Sequence, residues 1–145
     1  MKIRLVEARD RADFARMRAA LWPDEDPDGL ATELDALLAD PDKVTFVAEC
    51  DSGRLCGFAE AGTRAFANGV DEQPCAFLEG WWVEEQMRRS GVGRSLIAAV
   101  EAWARVRGFT ELGSDAVFDN TVGQQAHRAV GFEERERVVY FRKRL

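Results

Sequence analysis

The residues with the clearest chemical meaning in this sequence are the glycines and arginines of the stretch VEEQMRRSGVGR. A predicted strand leads into this stretch, and Arg88 and Arg89 come before Gly91 and Gly93, where an apolar-periodic helix begins. Glycine allows close approach of a ligand to the backbone, and the first N–H groups of a helix lack intrahelical acceptors. Because the helix start and the arginines are positive, the stretch favours binding of a pyrophosphate.

Other types of phosphate-binding loop require residues that this sequence lacks. A Walker A loop needs GxxxxGK[ST], which the residues from Gly91 to Ser95 do not supply. A dinucleotide-binding fingerprint needs a third glycine where Leu96 stands, and 145 residues are few for a two-lobed dinucleotide site. A structural turn with solvated arginines stays open on the local residues alone.

The elements that must position the loop follow the predicted order βααβββαβαβ. They are a strand at Ile3–Leu5, helices from Asp10 to Leu21 and from Asp28 to Asp40, a hairpin around Asp51–Gly53, a strand over 76–85, a helix over 92–106, a strand near 110–117, a helix near 121–130 and a final strand near 135–142. Asp10 and Asp28 are the expected N-caps, and Leu30, Leu34, Leu37 and Leu38 form the apolar stripe of the second helix. This order predicts an α+β (mixed α/β) fold with a mixed, largely antiparallel sheet flanked by helices.

Length and charge limit the function classes. The 145 residues predict one domain over 1–145. Twenty Lys and Arg against 26 Asp and Glu give a net charge of −6, which argues against nucleic acid and suits a cationic partner. There is no apolar run long enough for a membrane span or a secretory signal, so we expect a cytoplasmic protein with no membrane partner.

The three cysteines give no metal or disulfide pattern. Cys50, Cys56 and Cys75 are odd in number and form no CxxC pair, so no metal site is predicted. We expect small apolar side chains on strands, with a nucleophilic role as the alternative.

Two motifs together carry a family resemblance. Arg88-Arg89-Ser90-Gly91-Val92-Gly93 resembles the (Q/R)-x-x-G-x-(G/A) acyl-CoA motif of the GNAT N-acetyltransferase superfamily. Asp119-Asn120 and the later Ala126–Phe132 resemble its N…LYxxxGF element. Motifs, element order and length agree over nearly the whole chain, which implies the GNAT fold and acetyl-CoA as co-substrate.

The resemblance also implies which residues contact acetyl-CoA. A strand segment would pair with the pantetheine arm, the loop would hold the pyrophosphate, and one asparagine would contact the pantetheine region. These residues are Trp81, Trp82, Val83, Arg89, Ser90, Gly91, Val92, Gly93, Arg94 and Asn120. His127 stands where many GNAT enzymes have a proton-donating tyrosine, so the general acid is not identified by the resemblance.

Further segments are similar to the aminoglycoside 6′-N-acetyltransferases. They are LWPD, FLEGWWV, the pair Ser114-Asp115 and GFEERERVVYFRK. The resemblance implies an acceptor-binding set of Trp22, Phe66, Glu79, Asp115 and Glu136, with Phe66 where relatives often carry tyrosine. It also suggests a homodimer.

This set suits a polycationic acceptor. An aminoglycoside carries several ammonium groups, so its site needs dispersed carboxylates and a flat face. Glu79 lies among apolar residues, and two-residue spacing predicts that it shares a side of the strand with Trp81 and not with Trp82. We expect direct attack by the amine, with Glu79 or Asp115 accepting its proton through water and a backbone N–H near Val83 holding the oxyanion.

Two other functions remain possible from the sequence. One is a GNAT enzyme for another amine, such as a polyamine, an amino acid or a protein N-terminus. The other is a non-catalytic acyl-CoA-binding module, which acetyl-CoA binding without acetyl transfer would reveal.

Overall fold

The computed structural model describes the backbone of residues 1–145 and all side chains except those of residues 27, 30 and 31. The chain forms two compact units, Met1–Ser114 and Asp115–Leu145, which are described in turn. Leu30 of the predicted stripe therefore lies outside the described side chains. Among the described residues, no helix is both long and apolar enough to span a bilayer.

The first unit contains a five-stranded sheet. Its strands are β1 (Lys2–Leu5), β2 (Lys43–Glu49), β3 (Leu55–Arg64), β4 (Cys75–Val83) and β5 (Leu112–Gly113), in that spatial order. Neighbours from β1 to β4 are antiparallel, and β5 is parallel to β4. The β2–β3 turn includes Gly53 at φ 84°, a left-handed conformation that favours glycine. The predicted mixed, largely antiparallel sheet is confirmed.

Strand β5 is much shorter than the predicted 110–117. The backbone N–H groups of Thr110 and Glu111 donate to the carboxylate of Glu72, at 3.1–3.2 Å, instead of extending a ladder. The pairing with β4 covers only Leu112 and Gly113.

Three helices accompany the sheet: α1 (Arg11–Leu21), α2 (Pro27–Ala39) and α3 (Val92–Val106). Asp10 occupies the predicted N-cap position of α1, but its side chain makes no capping hydrogen bond to that helix, and the N-cap predicted for α2 at Asp28 is wrong. The Asp10 carboxylate accepts instead from Arg4 at 2.7 and 2.9 Å and from the N–H of Glu7 at 2.8 Å, and the two charge-assisted bonds to Arg4 fix it away from the N–H groups of α1. Helix α2 begins before Asp28, whose N–H donates to the actual cap, Asp26, at 3.2 Å.

The core lies between α1, α2 and the sheet. It contains Phe14 and Met17 of α1 and Leu34 of α2, with Val47 and Phe58 from the strands. The half-buried Leu21, Trp22, Leu37 and Trp82 pack against it. Leu38, the last residue of the predicted α2 stripe, is exposed. The predicted stripe of α3 is buried at Leu96, Ile97 and Val100.

The second unit contains helix α4 (Thr121–Ala129), one residue shorter than predicted. The predicted final strand over 135–142 is wrong, since residues 132–145 have no regular secondary structure. A strand requires a paired neighbour, and no described residue forms a ladder with this segment. Its apolar side chains, including Val139, Tyr140 and Phe141, are exposed.

Candidate active site

The second half of β4 has backbone groups that face away from its neighbour β3. The ladder with β5 pairs only Ala76 and Phe77, so among described residues the rest of β4 has no β5 partner. The N–H of Glu84 donates to the carbonyl of Cys56 at 2.9 Å. Since backbone groups alternate along an antiparallel pair, the N–H of the preceding Val83 points away from β3. This edge can pair with an extended ligand through its backbone.

The loop after β4 has a left-handed backbone conformation at two of its residues. Gly91 is the N-cap of α3 at φ 91°, and Arg89 is left-handed at φ 63°. The Nε of Arg88 donates to the carbonyl of Val83 at 3.0 Å, and the hydroxyl of Ser90 donates to the carbonyl of Met87 at 2.6 Å. Hydrogen bonds from its own side chains therefore stabilise the loop conformation, and the bond from Arg88 holds the loop against the end of β4.

Gly93 of α3 leaves room for Trp81 of β4. A Cβ at Gly93 would lie 2.9 Å from Cζ2 of the Trp81 ring, closer than real Cβ contacts. Val92, between the two glycines, is buried, so only its backbone can reach a ligand. Ser90, Gly91 and Arg94 are exposed beside it. The geometry therefore fits an anion held by the backbone at the start of α3.

Trp81 and Trp82 contact opposite sides of the sheet. Trp81 packs on α3 at Gly93, whereas Trp82 packs against the core cluster beneath α1 and α2. Glu79 does not follow simple alternation, because the register shifts there: Glu60 lies opposite Gly80, and Ala61 lies opposite Leu78. A bulge re-aims the extra side chain, so the two-residue spacing argument does not hold at Glu79.

The carboxylate of Glu79 is bound by an arginine that the sequence did not indicate. Arg64 of β3 donates from Nε and Nη2 to the two carboxylate oxygens at 2.8 and 2.6 Å. Its guanidinium carbon also lies 3.7 Å from the centroid of Phe77. A bidentate arginine orients the carboxylate and uses one lone pair on each oxygen, so further donors must approach the remaining lone pairs.

Trp22, at the end of α1, covers β4 next to Glu79. A Cβ at Gly80 would lie 2.6 Å from Cη2 of the Trp22 ring. Trp22 is half-buried, so part of the residue is accessible to solvent. The structure thus brings the predicted aromatic face and the predicted carboxylate to adjacent positions on one strand.

Phe66 lies in the loop between β3 and β4 and is 60% exposed. Two glutamates that the sequence analysis missed hold this loop. The Glu111 carboxylate accepts from the N–H groups of Asp71 and Glu72 at 3.1 and 2.9 Å, and the Glu72 carboxylate accepts in return from the backbone of Thr110 and Glu111.

The second unit contains Asp115, Asn120, His127 and Glu136. Asp115 and Glu136 are exposed. The carbonyl oxygen of the Asn120 side chain accepts from the N–H of Gly123 at 2.8 Å and so caps α4. Nδ1 of His127 donates to the carbonyl of Gly123 at 2.7 Å, which assigns the proton of a neutral imidazole to Nδ1. Only the imidazolium form could then donate from Nε2.

The cysteines are placed as structural residues. Cys56 and Cys75 are buried, and burial raises the pKa of the Cys56 thiol to about 12 and raises the pKa of Cys75. A thiol that stays protonated is a poor nucleophile. The alternative of a nucleophilic role therefore gains no support at these two positions.

Comparison with known proteins decides the family. Residues 11–132 match the model of the acetyltransferase (GNAT) family. The chain belongs to the GNAT family. An aminoglycoside N(6′)-acetyltransferase type 1 from Stenotrophomonas maltophilia is 48% identical over 99% of this chain and 93% of its own length. One from Klebsiella aerogenes is 42% identical over 99% of this chain and 96% of its own.

Solved structures agree with these GNAT relatives. The aminoglycoside 6′-N-acetyltransferase AAC(6′)-Ih from Acinetobacter baumannii superposes with a TM-score of 0.93 at 36% identity, covering 99% of this chain and 98% of that one. AAC(6′)-Iy in complex with the bisubstrate analogue CoA-S-monomethyl-acetylneamine has a TM-score of 0.92 at 37% identity, covering 99% and 98%. The GNAT fold predicted from the loop motif and the element order is confirmed.

Proposed function

We propose that this chain transfers the acetyl group of acetyl-CoA to the 6′-amine of aminoglycosides, which confers resistance to them. One observation carries the proposal: two features lie next to each other on strand β4. The first is an acidic and aromatic surface, and the second is a strand edge that leads into the proposed phosphate-binding loop. The surface consists of Trp22 and Glu79, and the edge runs from Trp81 to Val83. Full-length similarity to aminoglycoside N(6′)-acetyltransferases supports it.

Acetyl-CoA fits the residues at the β4 edge and the loop. The backbone of Trp81, Trp82 and Val83 would pair with its pantetheine arm, and the backbone from Arg89 to Arg94 would hold its pyrophosphate. The missing Cβ of Gly93 lets the start of α3 pack directly on the Trp81 ring, which keeps the phosphate-binding loop close to the β4 edge. When bound, acetyl-CoA would supply the thioester whose carbonyl the amine attacks, so that a C–N bond forms, the C–S bond breaks and coenzyme A leaves as the thiol. The N–H of Val83 points to the edge where negative charge would develop, and a donor there stabilises it.

The acceptor side orients and deprotonates the amine. Glu79 and Asp115 attract the ammonium groups, Trp22 and Phe66 supply flat faces, and Glu136 adds a further carboxylate. Glu79 or Asp115 accepts a proton through water before direct attack. Asn120 contacts the pantetheine region through its amide nitrogen, since its oxygen caps α4.

The position of acetylation is tested with matched substrates. Kanamycin A, which carries a 6′-amine, should be acetylated, and a matched compound with a 6′-hydroxyl should give no N-acetyl product at that position. Mass spectrometry and NMR of the products identify the modified nitrogen. Faster turnover of a polyamine or peptide would favour the other-amine alternative, and acetyl-CoA binding without transfer to any amine would favour a non-catalytic module.

We also propose that the protein is a cytoplasmic homodimer and that residues 1–145 act as one catalytic domain. The family match runs from the first unit into the second. The exposed run Val138–Phe141 supports a dimer, because an apolar segment of this kind requires a partner surface. Sedimentation at micromolar concentration should give twice the chain mass, and a single-chain mass would contradict the dimer.

A further inference from the structure

A buried ion pair lies beneath Trp22. Arg18 of α1 is 6% exposed and Glu60 of β3 is 5% exposed. Nε of Arg18 lies 2.9 Å from Oε1 of Glu60, and its Nη1 contacts Glu33 of α2. Glu60 is directly opposite Gly80, the residue that Trp22 covers, so the pair and the indole occupy neighbouring positions on the sheet.

Arg18 holds Trp22 from two directions. Its guanidinium carbon is 5.0 Å from the Trp22 ring and 5.4 Å from the Phe14 ring. Its backbone carbonyl accepts the N–H of Trp22 at 2.8 Å. The indole in turn tilts against Phe58, with ring centroids 6.2 Å apart. The Trp22 ring therefore lies between the Arg18 cation, Phe58 and the backbone of Gly80.

The Arg18–Glu60 ion pair contributes little to the folding stability of the protein. Arg18 Nε and Nη1 and Glu60 Oε1 are buried but make no hydrogen bond of normal geometry. Burial raises the pKa of Glu60 to about 7 although the Arg18 charge opposes that shift, so desolvation outweighs the attraction. Buried ion pairs of this kind are often replaced by apolar residues with no loss of stability. What apolar residues would not supply is a flat cation against the indole.

We propose that Arg18, held by Glu60, is a positioning residue that fixes the Trp22 indole on β4 beside Glu79 and thereby sets the affinity for the acceptor. The inference rests on the proposed function, in which Trp22 contacts the aminoglycoside. It adds a requirement for two residues that do not themselves reach the acceptor surface.

The test separates positioning from stability. The double variant R18M/E60L replaces the pair with apolar side chains of similar size. We expect an unchanged or raised Tm, an unchanged KM for acetyl-CoA and a KM for kanamycin A raised about three- to tenfold, because the ring loses its cation contact. R18K, which keeps the charge but not the planar group, should lie between wild type and the double variant. R11K, on the same helix in an exposed pair with Asp35, is the matched control and should behave as wild type.

A double-mutant cycle with Trp22→Ala tests whether Arg18 affects acceptor affinity through the Trp22 indole. If Arg18 acts through the indole, R18K should add nothing to the KM increase of Trp22→Ala. Additive effects, or a wild-type kanamycin KM in the folded double variant, would overturn the inference and leave the proposed function standing; should the double variant not fold, R18K decides by the same comparison. A wild-type KM for kanamycin A in Trp22→Ala would remove Trp22 from the acceptor site and overturn the inference, whereas acetylation of kanamycin A by that variant would leave the proposed function standing. Failure of the wild-type enzyme to acetylate kanamycin A would refute the proposed function before any variant is made.

Discussion

The proposed cofactor loop and the proposed acceptor surface both adjoin β4 but are built in different ways. The loop is one continuous segment, and its proposed ligand groups are backbone N–H groups whose positions depend on Gly91 at φ 91° and on internal bonds such as Arg88 to Val83. The acceptor surface combines Trp22 at the end of α1 with Glu79 of β4, and each is contacted by an arginine side chain, Arg18 of α1 or Arg64 of β3. A backbone site depends on local conformation, whereas a side-chain site depends on charge and on distant packing.

Removing charge should affect the acceptor surface most. Glu79→Gln and Asp115→Asn keep shape but lose a carboxylate, and we expect each to cost about 1–3 kcal/mol in kcat/KM for the aminoglycoside. The KM for acetyl-CoA should stay the same. If either residue also accepts the proton, its variant loses kcat and the acidic limb of the pH–rate profile shifts; pure binding raises KM alone.

Steady-state kinetics on each variant measure this difference. Glu101→Gln is the matched control, because Glu101 also pairs with an arginine, Arg105 at 3.1 Å, but lies on α3. Wild-type kcat/KM for every aminoglycoside in both variants would show that the acceptor assignment is wrong and favour another amine.

Filling the space beside Trp81 should affect the cofactor side alone. Gly93→Val places a side chain where a Cβ already lies 2.9 Å from the indole, and we expect the KM for acetyl-CoA to rise roughly tenfold or more. Gly29→Val is the control, because Gly29 is also in the first turn of a helix but its nearest neighbour lies at 3.8 Å. A folded Gly93→Val enzyme with normal acetyl-CoA kinetics would contradict the role of the loop.

Backbone strain should have a smaller effect than the clash at Gly93. Gly91→Ala and Gly108→Ala both place a Cβ at positive φ in open space, at the start and end of α3. Each should lose about 1–2 kcal/mol of stability. Only Gly91→Ala should raise the KM for acetyl-CoA, by about three- to fivefold, because only that residue shapes the loop. Equal KM values for the two variants would argue against a backbone-built site.

The smallest expected effect is a pH dependence of folding stability that comes from Glu60, the buried carboxylate beneath Trp22. Burial raises the pKa of Glu60 from 4.5 to about 7, with charged neighbours Arg18, Glu33, Lys43 and Glu79. Because the folded protein binds this proton more tightly than the unfolded chain, the contribution of Glu60 to stability falls as pH rises from about 4.5 to about 7. Glu60→Gln removes that slope.

Thermal melts at several pH values show directly whether Glu60 stabilises or destabilises the fold as pH rises. The Tm of Glu60→Gln relative to wild type should rise by roughly 2–6 °C between about pH 5 and about pH 8. Glu49→Gln is the control, because the Arg4 partner lowers the pKa of Glu49 and this carboxylate is therefore ionised in both the folded and the unfolded state over this range; its Tm difference should stay constant. A constant Tm difference for Glu60→Gln would mean that Glu60 does not titrate in this range.

The sequence was sufficient for the elements and the loop because their signals are local. Apolar periodicity predicted α3 over 92–106, and Gly91 and Gly93 indicated the turn into it. The predicted cap Asp28 was wrong because α2 begins earlier in the chain, and Asp10 is at the start of α1 but its carboxylate binds Arg4 instead of capping the helix. The final strand failed because a ladder depends on a neighbouring strand, which the residues of the segment itself do not specify.

The contacts of the acceptor surface could not be predicted from local sequence patterns. A charge in an apolar strand drew attention to Glu79, and the same signal was present at Glu60 in LCGFAEAG, which the sequence analysis left aside. Sequence determined the residue types, the order of elements and the glycine-shaped loop, since each follows from short-range conformational preference. Only the tertiary structure decided that Arg64 binds Glu79, that Glu60 and Arg18 lie beneath Trp22, and that a bulge re-aims Glu79. These pairings join residues far apart in the chain, and their energies depend on burial and distance, which exist only once the sheet and helices have packed.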